Sequence, residues 1–261
     1  MNRGRLGALV LLLTGCGAPA AVAPLFQPIP VAPALPPRPD AEDSVVPSPS
    51  AAPSIPQPSP LGPTGCPEDM VAVAGFCIDR YEAPNEKGEL PFAQQTAYDG
   101  EVWCSARGKR LCSEREWVRA CQGPEGRRYP YGDAYREDAC NDDRPWVIVH
   151  WKALGRWPKD AALDEATRLY QADMSGARAD CVSAEGVFDL TGNVAEWVRR
   201  SEPSPRTGYD HVLKGCFWAG CFKEPRPSCA FTNGVHPGSF RTYEAGFRCC
   251  TDRATRVTSP P

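Results

Sequence analysis

Cysteine content constrains this chain more than any other feature. The sequence holds 13 cysteines, and twelve of them lie between Cys66 and Cys250. Thiols at that density suit an oxidising compartment rather than a cytosol that keeps them reduced. An even number within one stretch suggests six bridges, and spacing alone does not say which pairs form. A zinc site would need C-x-x-C pairs or suitably spaced histidines. No C-x-x-C is present, and His150, His211 and His236 are far apart. Residues 66–250 are long enough for one domain with a substantial core.

The amino end bears on location. Residues Met1–Cys16 carry Arg3 and Arg5, then a short apolar run from Leu6 to Leu13, then Leu13-Thr14-Gly15-Cys16. A run of about 8 residues is too short to span a bilayer, which takes roughly 20. The ordered features resemble a bacterial lipoprotein signal, which implies lipidation of Cys16. The expected setting is the bacterial cell envelope, with the chain anchored in a lipid bilayer and facing the periplasm or the cell exterior. Residues 17–65 follow, and they hold 15 of the 29 prolines. So few core-forming residues and so much proline predict a disordered, extended stalk. At about 3.1 Å per residue in polyproline form it would reach on the order of 150 Å. Residues 251–261 are again Thr/Pro-rich and are expected to fray. The formal net charge of -3, with no basic cluster beyond pairs such as Arg127–Arg128 and Arg199–Arg200, argues against nucleic acid as a partner.

Within the domain the pattern is mixed. Met70–Ala74 and Phe76–Tyr81 flank Gly75 and predict a hairpin. Ser113-Glu114-Arg115-Glu116 is a capping box that should open a helix running to about Cys121, burying Trp117 and Cys121. A second helix is predicted over Asp160–Tyr170, with Leu163, Ala166 and Tyr170 on one stripe. The rest reads as Gly-, Pro- and Trp-rich coil. The class is α+β, coil-rich and disulfide-stapled.

Several motifs occur in order: Phe76-Cys-Ile-Asp-Arg-Tyr-Glu82, Cys104-Ser-Ala-Arg-Gly-Lys-Arg-Leu-Cys112, Tyr129-Pro-Tyr-Gly132, Cys140-Asn141, Gly186-Val-Phe-Asp-Leu-Thr-Gly-Asn-Val-Ala-Glu-Trp197, Val212-Leu-Lys-Gly215 and Gly246-Phe-Arg-Cys249. Together they resemble the formylglycine-generating enzyme family, also called sulfatase-modifying factors, over essentially all of 66–250. The resemblance implies a C-type-lectin-like variant fold. It also implies disulfides Cys104–Cys249 and Cys121–Cys229. With those set, Cys66–Cys77 is expected as a clip on the first hairpin, Cys140–Cys181 as a tether of the middle insertion and Cys112–Cys250 at the edge of the same core. Cys216 and Cys221 are left as the sixth pair.

Active members of that family oxidise a cysteine of a client protein to formylglycine with oxygen and Cu(I), held by thiolates spaced C-x4-C. Soft thiolates do select Cu(I). Here Cys216 and Cys221 have the spacing, which makes them the candidate catalytic pair. Their register differs, because Cys216 occupies the second Gly of the family's R-G-G-S motif, and the family position falls near Gly220. A structural Cys216–Cys221 bridge is the simpler expectation. The resemblance further implies a calcium site at Asp189, Gly192, Val194 and Glu196, whose hard oxygen donors suit that ion, and half of a second at Asn141 and Asp142. A non-haem iron site, known in related sulfoxide synthases, is not expected from three scattered histidines. Trp146, Trp151 and Trp157, around Val147–Val149, read either as a binding face or as packing of an insertion. The combined expectation is a lipid-anchored, lectin-like module that binds a client protein, a peptide or a glycan without catalysis. The alternative is a copper-dependent oxidase acting on a client cysteine.

Overall fold

The computed structural model describes residues 59–221 and 226–254. The signal-like segment, Cys16, nearly all of the proline-rich stretch and residues 255–261 lie outside the described residues.

Two four-stranded sheets organise the domain. The first has strands β1 (Met70–Val73), β2 (Phe76–Asp79), β3 (Arg110–Leu111) and β8 (Cys249–Asp252), in the order β1-β2-β8-β3. All its pairs are antiparallel, with Ile78 opposite Cys250 and Leu111 opposite Cys249. The predicted hairpin is β1–β2, and Ala74 takes a left-handed φ of 49° in its turn. The second sheet has β4 (Ala195–Arg199), β5 (His211–Lys214), β6 (Thr232–Asn233) and β7 (Ala245–Phe247), in the order β6-β5-β4-β7. Here β4 and β7 run parallel and the other pairs are antiparallel.

Side chains alternate across a strand, and this chain uses the alternation to build two cores. Trp197 and Leu213 enter one cluster with Phe247, Leu111 and Trp218. Their neighbours Val198 and Val212 enter the other, with Trp117, Leu190 and Ile78. The central strands of the second sheet are therefore buried on both faces, although each also carries polar residues: Glu196 in β4, His211 and Lys214 in β5. The adjacent cysteines of β8 obey the same rule. Cys249 bridges Cys104 on one side, and Cys250 bridges Cys112 on the other. The remaining bridges are Cys66–Cys77, Cys121–Cys229, Cys140–Cys181 and Cys216–Cys221.

Four helices complete the domain among the described residues. α1 is Ala97–Ser105, and Thr96 caps it in a capping box with Asp99. The sequence pattern alone reads this stretch as coil. Its buried positions are Ala97, Gly100 and Cys104, residues too small to carry a strong amphipathic signal. Gly100 is required there, since a Cβ would stand 2.9 Å from both Leu111 and Phe247 side chains. α2, Glu114–Gln122, starts at its Ser113 capping box and buries Trp117, Ala120 and Cys121. α3 is the short turn Trp151–Leu154. α4 is Asp160–Leu169, but its buried residues are Ala162, Glu165 and Leu169. Of the expected stripe, Ala166 and Tyr170 pack against the core, Tyr170 as the C-cap, while Leu163 is exposed. Glu165 is the polar member of the buried face. It turns inward to receive the His150 amide at 2.7 Å and the Arg168 guanidinium.

Candidate functional site

The loop after β5 carries the candidate thiols. Gly215 (φ 81°) and Cys216 (φ 62°) both take left-handed conformations. Gly215 needs to be glycine, because a Cβ would meet the Leu190 carbonyl oxygen at 2.8 Å. Cys216 holds a conformation that glycine adopts at less cost. A short bridge between Phe217 and Gly220 then folds the turn back, and Cys216 is joined to Cys221 with Cα atoms 5.0 Å apart. Cys216 is 2% exposed. All twelve cysteines from Cys66 to Cys250 are bridged. As arranged, Cys216 and Cys221 offer no thiolate pair, so the residues present do not fit Cu(I).

Three loops knit together beside this turn. Gly192 donates its amide to the Gly215 carbonyl at 2.8 Å, Asn193 donates to the Asn141 carbonyl at 2.7 Å, and Trp218 donates to the Asn193 carbonyl at 2.9 Å. The two expected calcium groups thus come side by side. Asn141 Nδ2 reaches Asn193 Oδ1 at 3.1 Å.

Under these loops lies a buried charge cluster that the sequence reading did not assemble. Arg248 is fully buried and grips Glu196 with Nε to Oε2 at 2.7 Å and Nη2 to Oε1 at 2.6 Å. Trp117 Nε1 donates to the same Oε2 at 2.8 Å. Glu82 accepts from the Val194 amide at 3.2 Å and from Asn193 Nδ2 at 2.9 Å. Asp189 accepts the Gly176 amide at 2.7 Å. Burial pushes the Asp189 carboxyl up to about 6. It pushes Glu82 well up too, with the charges of Asp189 and Glu196 adding to the effect. A sequence signal did exist: Glu196 and Arg248 sit inside apolar runs, where an unpaired charge would be costly.

This arrangement tests the calcium expectation. Calcium wants six to eight oxygens converging on one point. Both Glu196 oxygens face Arg248 and Trp117, and an Asp189 oxygen faces a backbone amide. At the second location Asn141 Oδ1 accepts from Arg144 Nε at 2.9 Å. Arg144 also reaches Asp173 Oδ1 at 2.8 Å, and Arg178 takes Asp173 Oδ2 at 2.8 Å. Asp142 Oδ1 accepts from Tyr135 at 3.0 Å. Protein cations and donors thus face the oxygens that a metal would need. Among the described residues, no three His, Cys, Asp or Glu side chains are placed to hold a metal ion. The Asp189–Glu196 loop and the Asn141–Asp142 pair do not fit calcium as they are arranged.

The histidines stay apart: His150 lies beside Glu165, His211 beside Glu101, and His236 stacks on Phe240. The aromatic insertion divides. Val149 and Leu154 enter the core, and Trp157 is half-buried under Arg241. Trp146, Ile148 and Trp151 are 59%, 76% and 58% exposed. Trp146 leans edge-on against Phe217, with ring centroids 6.1 Å apart, so this apolar ledge adjoins the Cys216–Cys221 turn. Core packing of the insertion therefore covers Val149 but not Trp146 or Trp151.

Comparison with known proteins agrees with the ordered motifs. Residues 65–253 match the family described as the sulfatase-modifying factor enzyme 1-like domain. Inactive C-alpha-formylglycine-generating enzyme 2 of Bos taurus is 31% identical over 171 residues, covering 64% of this chain and 52% of that protein. Formylglycine-generating enzyme of Mus musculus is 25% identical over 171 residues, covering 59% of this chain and 42% of that protein. The chain thus spans about half the length of the curated relatives it matches, or less. The solved structure of CarF superposes with a TM-score of 0.50 at 14% identity, covering 68% of this chain and 86% of that one, which bears on the fold alone. The expected C-type-lectin-like α+β fold is met. With its ordered motifs and a match across 65–253, the chain belongs to the formylglycine-generating enzyme family of sulfatase-modifying factors.

Proposed function

We propose that this protein is a lipid-anchored, extracytoplasmic, non-catalytic binding module with a formylglycine-generating-enzyme-like domain. The observation that carries the reading is the Cys216–Cys221 bridge, buried at Cys216 and placed out of the family's register. Cu(I) chemistry at this loop would need both sulfurs as thiolates. A relative named as inactive supports the same reading. The ligand side rests on the exposed Trp146, which leans on Phe217, and on Ile148 and Trp151, exposed in the same stretch of chain. Exposed aromatic faces bind peptides and sugars by apolar contact and stacking. Anchoring through acylated Cys16 on the proline-rich stalk would hold this ledge away from the bilayer.

Thiol counting on the purified full-length protein, native and unfolded, tests the catalytic half. The expected result is no free thiol from Cys66–Cys250 and no mass change in a cysteine peptide incubated with the protein and Cu(I). Two thiols at Cys216 and Cys221, with conversion of the peptide, would establish the copper oxidase instead. For the binding half, a Trp146→Ala/Trp151→Ala variant should keep its melting temperature and lose retention on immobilised oligosaccharides or peptides that hold the wild type. Equal retention would reject the ledge as the binding face. Labelling with a radioactive fatty acid that is lost in Cys16→Ser tests the anchor.

A further inference from the structure

A cleft of about 620 Å³ opens between α2 and the ends of β4, β5 and β6. Its lining shares no residue with the Cys216–Cys221 turn, the aromatic ledge or the Arg248 cluster. Four cations line it, Arg115, Arg119, Arg200 and Lys214, against two acids, Glu114 and Glu202. Arg119 is already paired with Glu185 at 2.5 Å. Arg115 and Arg200 make no ion pair among the described residues.

Lys214 is the unusual member. Its side chain is 1% exposed. Nζ donates to Thr232 Oγ1 at 2.7 Å and to the Ala230 carbonyl at 3.4 Å. Among the described residues its carboxylate partner is Glu114, whose oxygen stands at 3.7 Å and accepts a hydrogen bond from Thr232 at 3.0 Å. The ammonium therefore sits largely desolvated, with Glu114 only at the long end of ion-pair distance and the Trp117 ring 5.6 Å away. Burial pushes it down to about 8, against the pull of Glu114, and Arg200 adds to the downward push. A buried amine of this kind shares the cleft with two guanidinia, Arg115 and Arg200, that have no ion pair among the described residues.

We propose that this cleft binds a phosphate or sulfate group carried by a small polar solute, with Lys214 and Arg200 holding the oxyanion. Guanidinium forks match the paired oxygens of such groups, and an ammonium adds a point charge. The volume lies within the range of small-molecule sites. The remaining lining, with Ser201, Thr232 and Gln122, suits a hydroxylated carrier.

Isothermal titration of the full-length protein at constant ionic strength tests this, with inorganic phosphate, inorganic sulfate, glucose 6-phosphate and glucose 6-sulfate against glucose and chloride. At least one oxyanion should bind saturably with Kd of about 1 mM or tighter, and glucose and chloride should not. Preference among the four probes tells phosphate from sulfate and the free ion from the ester. Arg200→Gln, on a half-buried side chain, should keep its melting temperature and weaken binding about tenfold or more. Lys214→Gln should weaken it further. Affinity in the wild type should also fall as pH rises from 7 to about 9.5, because the ammonium facing Glu114, Arg200 and Thr232 loses its proton. No saturable binding up to about 20 mM, or equal affinity in a folded Arg200→Gln variant, would overturn the proposal.

Discussion

Replacing Arg248 with methionine tests whether the buried charge cluster holds the domain together. The guanidinium makes five hydrogen bonds: two to Glu196, at 2.6 and 2.7 Å, and one each to the carbonyls of Phe188 at 2.9 Å, Asp79 at 3.3 Å and Arg80 at 3.4 Å. It therefore ties the first sheet, the Phe188 loop and β4 into one unit. Methionine fills much of the volume and removes the charge. Glu196 then keeps only the Trp117 donor, while Glu82 and Asp189 stay buried nearby. Breaking a buried pair from one side costs about 3–5 kcal/mol, because the other charge is stranded. Each abandoned carbonyl adds up to roughly 1 kcal/mol, and these costs do not sum. A total of at least about 4 kcal/mol is expected, a large share of a typical domain's 5–15 kcal/mol. Urea unfolding followed by circular dichroism, with disulfides intact, measures it for Arg248→Met, Glu196→Gln and the double variant. The double variant should lose less than the two singles combined, by about 2 kcal/mol or more. An Arg248→Met cost under about 1 kcal/mol, or simple additivity, would refute the reasoning.

Other outcomes follow from the same geometry. Gly192→Ala should give little folded protein, since a Cβ would stand 2.3 Å from the Asn141 carbonyl oxygen at a φ of +78°; a normal yield and melting temperature would contradict that contact. Ser113→Ala should lower stability by about 1 kcal/mol, measured by urea unfolding, because the Glu116 amide loses its side-chain acceptor. Chelation should leave the melting temperature unchanged. A fall of several degrees that added calcium reverses would show that Asp189 and Glu196 regroup around an ion.

Local signals in the chain were strong where they involve neighbours. The capping box at Ser113 and the β1–β2 hairpin need only a few adjacent residues to be recognised, and the structure has both where expected, whereas β4, at the end of the run Gly186–Trp197, reads as coil from the chain alone. The helix α1 was missed because its buried positions are Ala97, Gly100 and Cys104, which give little amphipathic contrast. The buried face of α4 was read only in part: Ala166 and Tyr170 pack on the core, Leu163 does not, and Glu165 joins them. Glu165 is buried because His150 and Arg168 satisfy it, and those partners come from the tertiary arrangement as well as from the helix.

The candidate site divides in the same way. Cysteine number, the ordered motifs and the proline-rich stretch are properties of the linear chain, and they determined the family, the α+β class and the expectation of six bridges. Only the tertiary structure decided what the charged residues do. Glu82, Asp189, Glu196 and Arg248 are spread over more than 160 positions, and an electrostatic pairing depends on distance in space, not on separation in sequence. The same holds for Lys214, which the chain shows only as part of the Val212–Gly215 motif. Its meaning came from Glu114, Arg115 and Arg200, brought to one cleft by α2 and β4. Likewise Trp146 and Val149 lie three residues apart in one aromatic run, and packing alone put the first in solvent and the second in the core.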